Sequence, residues 1–475
     1  MNRPIRHVAV VVGVMILALL ANLSVISIAR EPGLDDHPLN RRARDAEFAQ
    51  DRGLILVGDV AVATTTPVKD AFAYQRGYPQ GALYAPVVGY YSYDHGRGGL
   101  ELTYNQELAG TSSSQWLDRL VDTATGAKPR GAFVQTTLNA RMQEAAVKAM
   151  GSYRGAVVAL DPKTGAVLAY ASLPTYDPNA LASHDLAQAR AAAQAYVAAG
   201  DRPLSDRAGK EVYPPGSTFK LVTAAAALED GWGVDALIDA PSQLRLPNST
   251  SVLTNQSACG GDQVTLDQAL RVSCNTAFAN LGARLGADKL RVQAEKFGFG
   301  ATQLADLNGV ASRFPAKPDQ AQTMLSAIGQ FDVAASPLQM AMVVSAIVND
   351  GVLKRPYVVS EVRSPELRVL YRHGPDDRRA MSAESAQALQ QMMVNVVTSG
   401  TGGRAQINGV VVGGKTGTAQ SDPARPPYAW FVAFAKDPDV VVAVFIENAD
   451  VERSDIAGGR LAGPVAKAVI EASRP

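Results

Sequence analysis

The chain has 475 residues, of which 47% are hydrophobic and 19% charged, a composition typical of a globular protein with two or three domains. Its 45 lysine and arginine residues balance 45 aspartate and glutamate residues, so its charge gives no reason to expect nucleic acid as a partner. The 2 cysteines and 5 histidines are widely spread and form no pattern typical of a metal site. We therefore expect neither a metal ion nor another cofactor.

The chain begins with a candidate membrane anchor. Arg3 and Arg6 precede an apolar run over residues 8–29, about 22 residues long, which is enough to cross a bilayer as a helix. The basic flank predicts a cytoplasmic N-terminus, with residues 1–30 as cytoplasmic tip and anchor and the rest of the chain extracytoplasmic. The alternative is a cleaved signal peptide ending at small residues such as Ala29, but the apolar part of a signal peptide is usually only about 7–15 residues long.

Residues 31–131 are predicted to form a smaller N-terminal pedestal domain. The stretch 31–49 is polar and would link the anchor to the body of the protein. Two short strands are predicted over 54–57 and 60–63, separated by a Gly-Asp turn. Tyr, Gly and Pro are dense over 74–104, which predicts loops and short strands with little helix. This part of the chain has no catalytic pattern, and we expect it to act as a spacer.

Residues 132–475 are predicted to form a second domain with an α+β fold. Runs 156–160 and 166–171 form a hairpin, and three further strands are predicted over 409–420, 429–435 and 440–448. Together these strands predict one central antiparallel sheet flanked by helices. The helices are predicted over 139–150, 187–199, 217–228, 337–348, 383–397 and 463–472.

Three short patterns occur in one order in this second domain. They are Ser217-Thr218-Phe219-Lys220, Ser273-Cys274-Asn275 and Lys415-Thr416-Gly417-Thr418. Each pattern alone is weak, but together and in this order they form the S-x-x-K, S-x-N, K-T-G signature of serine acyl transfer. Ser217 opens the only S-x-x-K of the chain, and Ser273 opens the only S-x-N.

A second K-T-G, Lys163-Thr164-Gly165, comes before the serine and needs another explanation. It follows Asp161-Pro162 between the two runs of the predicted hairpin, so we interpret it as a turn. The K-T-G at Lys415 instead follows an apolar run with two glycines, which predicts a strand that a substrate backbone can approach closely.

Ser217 and Lys220 are three residues apart on a predicted helix, so their side chains share one face. A serine hydroxyl needs an adjacent base to become a nucleophile, and a lysine can be that base if burial or a nearby cation lowers its pKa. Lys415 can supply that cation. The five histidines lie in no comparable context, so we do not expect a Ser-His-Asp arrangement.

The second motif is predicted to orient substrate and move a proton. The Asn275 amide both donates and accepts, so it can hold a substrate amide and the base together. The Ser273 hydroxyl can relay the proton between Lys220 and the leaving amine. The plainer interpretation of Ser and Asn at these positions is a turn or a helix cap.

The third motif is predicted to bind the substrate. Lys415 offers a cation for a carboxylate, and Gly417 permits close approach of a backbone. The N–H groups of Thr418 and Ser217 can form an oxyanion hole.

The two cysteines, Cys259 and Cys274, lie 15 residues apart, and the second is inside the S-x-N motif. An exported domain folds in an oxidising compartment, so we favour a disulfide between them. Two buried free thiols are the alternative.

With these motifs in place, the chain resembles the class B penicillin-binding proteins over nearly its whole length. The resemblance also rests on patterns outside the three motifs. These are Arg52-Gly53-Leu54-Ile55, Gly98-Gly99-Leu100-Glu101, Tyr104-Asn105, Leu108-Ala109-Gly110, Gly329-Gln330, Ser336-Pro337-Leu338-Gln339-Met340-Ala341 and Trp430-Phe431. One departure is Ala433, where the related W-F-x-G pattern has glycine.

This resemblance implies a membrane-anchored D,D-transpeptidase that cross-links peptidoglycan stem peptides ending in D-Ala-D-Ala and is acylated by β-lactams. It implies Ser217 as nucleophile, Lys220 as base, and Lys415, Thr416 and Thr418 as ligands of the substrate carboxylate and oxyanion. It also implies a SEDS-type glycan polymerase as a partner.

Two other functions would use the same motifs. A β-lactamase or D,D-carboxypeptidase would pass the acyl group to water, but the E-x-x-x-N that carries the deacylating glutamate of class A β-lactamases does not occur after Ser217. The non-enzymatic alternative is a β-lactam sensor or an assembly scaffold. A sensor would need a signalling domain inside the cell, and only about seven residues precede the apolar run.

Overall fold

The computed structural model of the chain describes residues 3–26, 41–116, 120–121, 125–126, 130–420 and 425–474. Its helices are α1 Arg3–Val25, α2 Arg41–Phe48, α3 Gly81–Val88, α4 Gly99–Thr103, α5 Asn105–Leu108, α6 Ala140–Met150, α7 Pro178–Ala182, α8 Leu186–Ala198, α9 Lys220–Glu229, α10 Leu266–Arg271, α11 Asn275–Leu285, α12 Ala287–Lys296, α13 Gln320–Ser326, α14 Pro337–Val348, α15 Ala383–Ser399 and α16 Gly458–Ala472.

The strands are as follows. They are β1 Ile55–Val57, β2 Val60–Pro67, β3 Tyr74–Gly77, β4 Tyr91–Ser92, β5 Gly96–Arg97, β6 Phe133–Thr136, β7 Arg154–Leu160, β8 Val167–Leu173, β9 Leu237–Asp239, β10 Gln243–Arg245, β11 Val252–Thr254, β12 Gln263–Thr265, β13 Val352–Lys354, β14 Val359–Arg363, β15 Val369–Arg372, β16 Asp377–Arg379, β17 Val411–Ala419, β18 Tyr428–Lys436 and β19 Val440–Asn448.

The second domain is built around a five-stranded antiparallel sheet in the order β17-β18-β19-β7-β8. Its strands are the two early and three late strands predicted from the sequence, so the α+β prediction with a central antiparallel sheet is confirmed. The strand that carries the K-T-G motif, β17, is an edge strand of this sheet. One of its sides therefore stays open to a ligand.

Successive side chains of each strand point to opposite faces of this sheet, and helices cover both faces. In β18, Trp430 and Val432 belong to a core shared with α9 and α14, whereas Phe431 belongs to a core shared with α6 and α16. Ala433, the departure from the related pattern, is fully buried in the second of these cores, opposite Gly414 of β17.

The predicted helices of this domain are found with shifted ends. The helix predicted from residue 463 begins at Gly458 and continues through Pro464. The helix predicted from Ser217 begins as a 3₁₀ turn over Gly216–Phe219, and its α-helical part starts at Lys220.

The prediction of little helix over residues 74–104 was wrong. Helices α3 and α4 occupy much of that stretch, and Pro86 lies inside α3. Tyr84 and Val88 of α3 are almost fully buried. Burial of this apolar helix therefore outweighs the unfavourable local propensity of proline and glycine.

The pedestal strands belong to a six-stranded sheet in the order β15-β14-β6-β1-β2-β3. Strand β14 pairs with β6, so residues from far along the chain extend the pedestal sheet. A buried charge cluster lies beside it, in which Arg52 and Arg76 each contact a different oxygen of Glu101 at 2.6 Å. Burial alone would raise the pKa of Glu101, but the two guanidinium groups outweigh it and hold this pKa below its ordinary value.

The helix α1 is the one described helix that is long and apolar enough to cross a membrane. None of its residues is buried in the described part of the structure. The small residues considered for a signal-peptide cleavage site, Ser27 and Ala29, lie outside the described residues.

Candidate active site

Ser217 lies in a tight turn that neighbouring backbone segments hold in place. Gly216 has φ 53°, and its N–H donates to the carbonyl of Gly329 at 2.9 Å. A Cβ atom on Gly329 would lie 2.1 Å from the Gly216 oxygen, so only glycine fits there. The indole N–H of Trp430 donates to the carbonyl of Pro214 at 3.0 Å and fixes the approach to the turn. Ser217 itself is half-buried and open on one side.

The K-T-G strand runs directly against this turn. A Cβ atom on Gly417 would lie 3.0 Å from Cγ2 of Thr218 and 3.1 Å from the carbonyl oxygen of Pro215. A side chain at 417 would therefore push strand and turn apart, which gives the predicted glycine a structural reason. The half-buried Thr418 follows it on the open edge of β17.

Ser273 reaches the site because α10 ends at Arg271, two residues before it. Its N–H donates to the carbonyl of Leu270 at 3.2 Å, and that of Cys274 donates to Ala269 at 2.9 Å, which is the pattern of a Schellman cap. Ser273 occupies the left-handed position of this cap with φ 62°, where glycine is usual. The strained backbone is typical of functional sites.

Lys220 is fully buried and lies against the second motif. Its Nζ is 2.7 Å from the carbonyl oxygen of Ser273, 2.7 Å from Oδ1 of Asn275 and 3.3 Å from Oγ of Ser273. The hydrogen bonds found among the described residues do not join Nζ to Ser217, although the two residues are one turn apart.

These contacts fit a neutral lysine. A carbonyl and an amide oxygen can only accept, so they can take both hydrogens of a neutral amine and leave its lone pair for a hydroxyl donor. Burial lowers the pKa of Lys220 well below its ordinary value, and the charge of Lys415 lowers it further. This direction of the pKa shift is the one that a lysine base would need, and the role of Lys220 stays a prediction.

Lys415 connects the third motif to the second. Its Nζ is fully buried and lies 2.8 Å from Oγ of Ser273 and 3.0 Å from the carbonyl oxygen of Thr416. Burial lowers the pKa of Lys415 to about 7. Since Lys415 donates to the Ser273 oxygen, the Ser273 hydrogen is free to point at the lone pair of Lys220.

Three residues that sequence reasoning missed support this arrangement. Oδ1 of Asn255 accepts from the N–H groups of Asn275 and Thr276 at 2.8 and 3.0 Å and so caps helix α11. The carbonyl of Thr254 accepts from Nδ2 of Asn275 at 3.0 Å and orients that amide. The hydroxyl of Thr401 lies 2.7 Å from that of Thr416. None of them belongs to a motif, so the sequence offered no signal for their roles.

Cys259 and Cys274 form a disulfide in the structure, with their Cα atoms 5.4 Å apart. Both residues are almost fully buried. The bridge ties the segment before α10 to the residue between Ser273 and Asn275, and thus to the active site itself.

The other candidates lie elsewhere. Lys163 of the earlier K-T-G is in an exposed turn and pairs with Asp439. Among the described histidines, His184 pairs with Asp70 and His373 stacks on Tyr357. His37 lies outside the described residues.

The site thus combines a half-buried serine, a buried lysine whose pKa is lowered, a hydroxyl between two lysines and a second lysine on an edge strand. This arrangement can activate a serine for acyl transfer. Residues 155–471 match the family described as the penicillin-binding protein transpeptidase domain. Residues 52–134 match the penicillin-binding protein A dimerisation domain.

Relatives of known name resemble the whole chain. It is 41% identical to the peptidoglycan D,D-transpeptidase PbpA of Mycolicibacterium smegmatis, with 100% of this chain and 99% of the relative covered. It is 40% identical to PbpA of Mycobacterium tuberculosis with the same coverage. The chain belongs to the penicillin-binding protein transpeptidase family.

Solved structures agree with this assignment. The ceftriaxone acyl-enzyme of penicillin-binding protein A from M. tuberculosis superposes with a TM-score of 0.87 and 39% identity, over 90% of this chain and 99% of that one. The penicillin G acyl-enzyme of the same protein gives a TM-score of 0.85, over 89% of this chain and 99% of that one.

Proposed function

We propose that this chain is a D,D-transpeptidase that cross-links peptidoglycan stem peptides through an acyl-enzyme on Ser217 and is inhibited by β-lactams. The observation that carries this proposal is the environment of Lys220, whose two hydrogens are taken by the carbonyl of Ser273 and the amide of Asn275. The remaining lone pair gives the family's serine a base at neutral pH.

Acylation starts when Lys220 takes the hydroxyl proton of Ser217 and Oγ attacks the carbonyl of the D-Ala-D-Ala bond. The N–H groups of Ser217 and Thr418 stabilise the oxyanion. The Ser273 hydroxyl then passes the proton from Lys220 to the leaving D-Ala nitrogen, and the C–N bond breaks. Lys415, with Thr416 and Thr418, holds the terminal carboxylate of the donor on the open edge of β17.

Deacylation reverses these proton transfers. The amine of a second stem peptide attacks the ester and gives its proton to Lys220, and the Ser217 hydroxyl is restored with formation of the new peptide bond. If water took the place of that amine, the product would be a trimmed peptide, as in a D,D-carboxypeptidase.

The test is covalent labelling of the purified extracytoplasmic part with penicillin, followed by peptide mapping. We expect the label on Ser217, and none with Ser217→Ala at an unchanged melting temperature. A label elsewhere would contradict the assignment. With a pentapeptide donor and an amine acceptor, a cross-linked product supports transpeptidation, whereas a tetrapeptide alone supports hydrolysis.

The proposal includes the arrangement of the chain in the cell. Residues 1–30 form the cytoplasmic tip and membrane anchor, 31–131 the pedestal and 132–475 the extracytoplasmic transpeptidase domain. The apolar helix α1 and the basic residues Arg3 and Arg6 support this topology. Protease added to intact spheroplasts should digest the catalytic domain, and protection until lysis would contradict the orientation.

We also propose a SEDS-type glycan polymerase as the membrane partner. Family membership supports this pairing, because a cross-linking enzyme needs a source of nascent glycan strands. Co-purification from detergent with a tagged polymerase tests it. A chain whose residues 1–30 are replaced by an unrelated anchor serves as the control, since it distinguishes specific pairing from shared membrane location.

A further inference from the structure

One exposed aromatic residue beside the active site is unexplained by folding. Phe331 has φ 61°, and it is the one aromatic side chain in the left-handed region among the described non-glycine residues. This backbone conformation is unfavourable for a bulky side chain. The side chain is nevertheless 47% exposed, while Val333 and Ala334 of the same segment are buried.

The position of Phe331 ties it to the catalytic turn. It lies two residues after Gly329, whose carbonyl accepts the N–H of Gly216 next to the nucleophile. Further along the segment, Ala335 pairs with Tyr213 by two backbone hydrogen bonds, of 2.9 and 3.0 Å. The residues around Phe331 are therefore anchored at both ends against the stretch that presents Ser217.

The neighbours of Gly216 show which end of β17 lies beside the catalytic turn. A Cβ atom on Gly216 would lie 3.0 Å from the Ala419 Cβ and from the Thr418 oxygen, so the catalytic turn, on which the Phe331 segment is anchored, meets β17 at its Thr418–Ala419 end. Lys415 lies about 10 Å further back along the strand, at about 3.4 Å per residue. If Lys415 holds the carboxylate of the leaving group, the acyl side of the scissile amide lies toward the Thr418–Ala419 end of β17.

We propose that Phe331 is a specificity-determining residue whose ring contacts the apolar part of the acyl donor, on the acyl side of the bond that Ser217 attacks. In a penicillin this part is the amide side chain, and in a stem peptide it is the aliphatic chain of the residues before D-Ala-D-Ala. The inference rests on the proposed function. It explains an exposed aromatic residue on a strained backbone, because strain is retained where it serves binding.

The experiment compares two β-lactams that share the penam nucleus but differ in the acyl side chain. Benzylpenicillin carries a phenylacetyl side chain, and 6-aminopenicillanic acid has none. The variant Phe331→Gly removes the ring and relieves the backbone, so we expect no fall in melting temperature. The second-order acylation rate constant should fall about tenfold with benzylpenicillin and stay within about twofold with 6-aminopenicillanic acid, as expected for loss of one aromatic contact.

Two further variants complete the test. Phe331→Tyr keeps the ring and should restore acylation by benzylpenicillin. Leu367→Gly is the matched control, since Leu367 also has a positive φ, at 65°, and is 61% exposed, but lies in the turn between β14 and β15. It should leave both rate constants unchanged.

Equal loss with both β-lactams would overturn the proposal and indicate a role in shaping the turn. No loss with either would overturn it as well. Failure of the parent protein to be acylated by either compound would instead count against the proposed function.

Discussion

Nζ of Lys415 lies 2.8 Å from the hydroxyl oxygen of Ser273, a residue 142 positions earlier in the chain. This hydrogen bond joins the third motif to the second, and the Ser273 hydroxyl lies in turn 3.3 Å from Nζ of Lys220. The Ser273 hydroxyl therefore lies between the two lysines, where it can relay a proton from Lys220, and the charge that Lys415 carries below its pKa lowers the pKa of this buried base.

Lys220 is predicted to act as a neutral base, so a side chain that keeps its charge should not replace it. We expect Lys220→Arg to slow acylation by penicillin about 10²–10⁴-fold, the usual contribution of a general base. Lys210→Arg, at an exposed lysine before the same turn, is the matched control and should acylate normally. Near-parental rates for Lys220→Arg in stopped-flow measurements would contradict the role.

Acylation should lose rate on the alkaline side because Lys415 has a pKa of about 7. A lysine is charged below its pKa, so a rise in pH through this value removes the cation that binds the substrate carboxylate. We expect kcat/KM for a carboxylate-bearing β-lactam to fall above about pH 7, since this ratio reports groups of the free enzyme. Because arginine stays charged, Lys415→Arg should move the fall to higher pH, even if its maximal rate is lower.

A penicillin methyl ester is the control ligand for this pH profile. It lacks the carboxylate, so its alkaline fall should be weaker in the parent protein. An unmoved alkaline limb in Lys415→Arg would show that another group titrates there.

Asn255 is predicted to position Asn275 through the cap of helix α11. Asn255→Ala leaves two helix N–H groups without their acceptor and should lower the free energy of unfolding by about 1–2 kcal/mol. It should also slow acylation, since Asn275 holds Lys220. Asn255→Asp keeps an acceptor at a helix N-terminus, where negative charge is favourable, and should recover most of both losses. Denaturant unfolding measures the loss of stability, and the acylation rate measures the loss of activity. Equal defects in Asn255→Ala and Asn255→Asp would argue against a capping role for Asn255.

The Cys259–Cys274 bridge is predicted to hold the second motif in place. A disulfide closing a loop of this length contributes about 3 kcal/mol to stability. We expect Cys259→Ser to lower the melting temperature by a few degrees but to slow acylation about tenfold, because Ser273 and Asn275 lose their fixed position. Parental acylation by this variant would refute the idea, as would two free thiols in mass spectra of the exported protein.

The helical content of the pedestal shows where local sequence reasoning ends. Tyrosine, glycine and proline around Pro86 predicted loops, yet α3 is helical because its side chains are buried against the pedestal core. A similar limit applies to Asn255 and Thr401. Each acts through a partner distant in sequence, and no spacing rule links such pairs.

The sequence by itself determined the candidate catalytic residue types, their order, the apolar N-terminal helix and the strands of the central sheet. These features depend on spacing and periodicity, which are local properties of the chain. Only the tertiary structure decided that Lys220 and Lys415 are fully buried, that both meet at Ser273 and that Gly329 lies against Gly216. Burial and long-range contacts set the pKa of a side chain, so the chemistry of the two lysines follows from the fold that surrounds them.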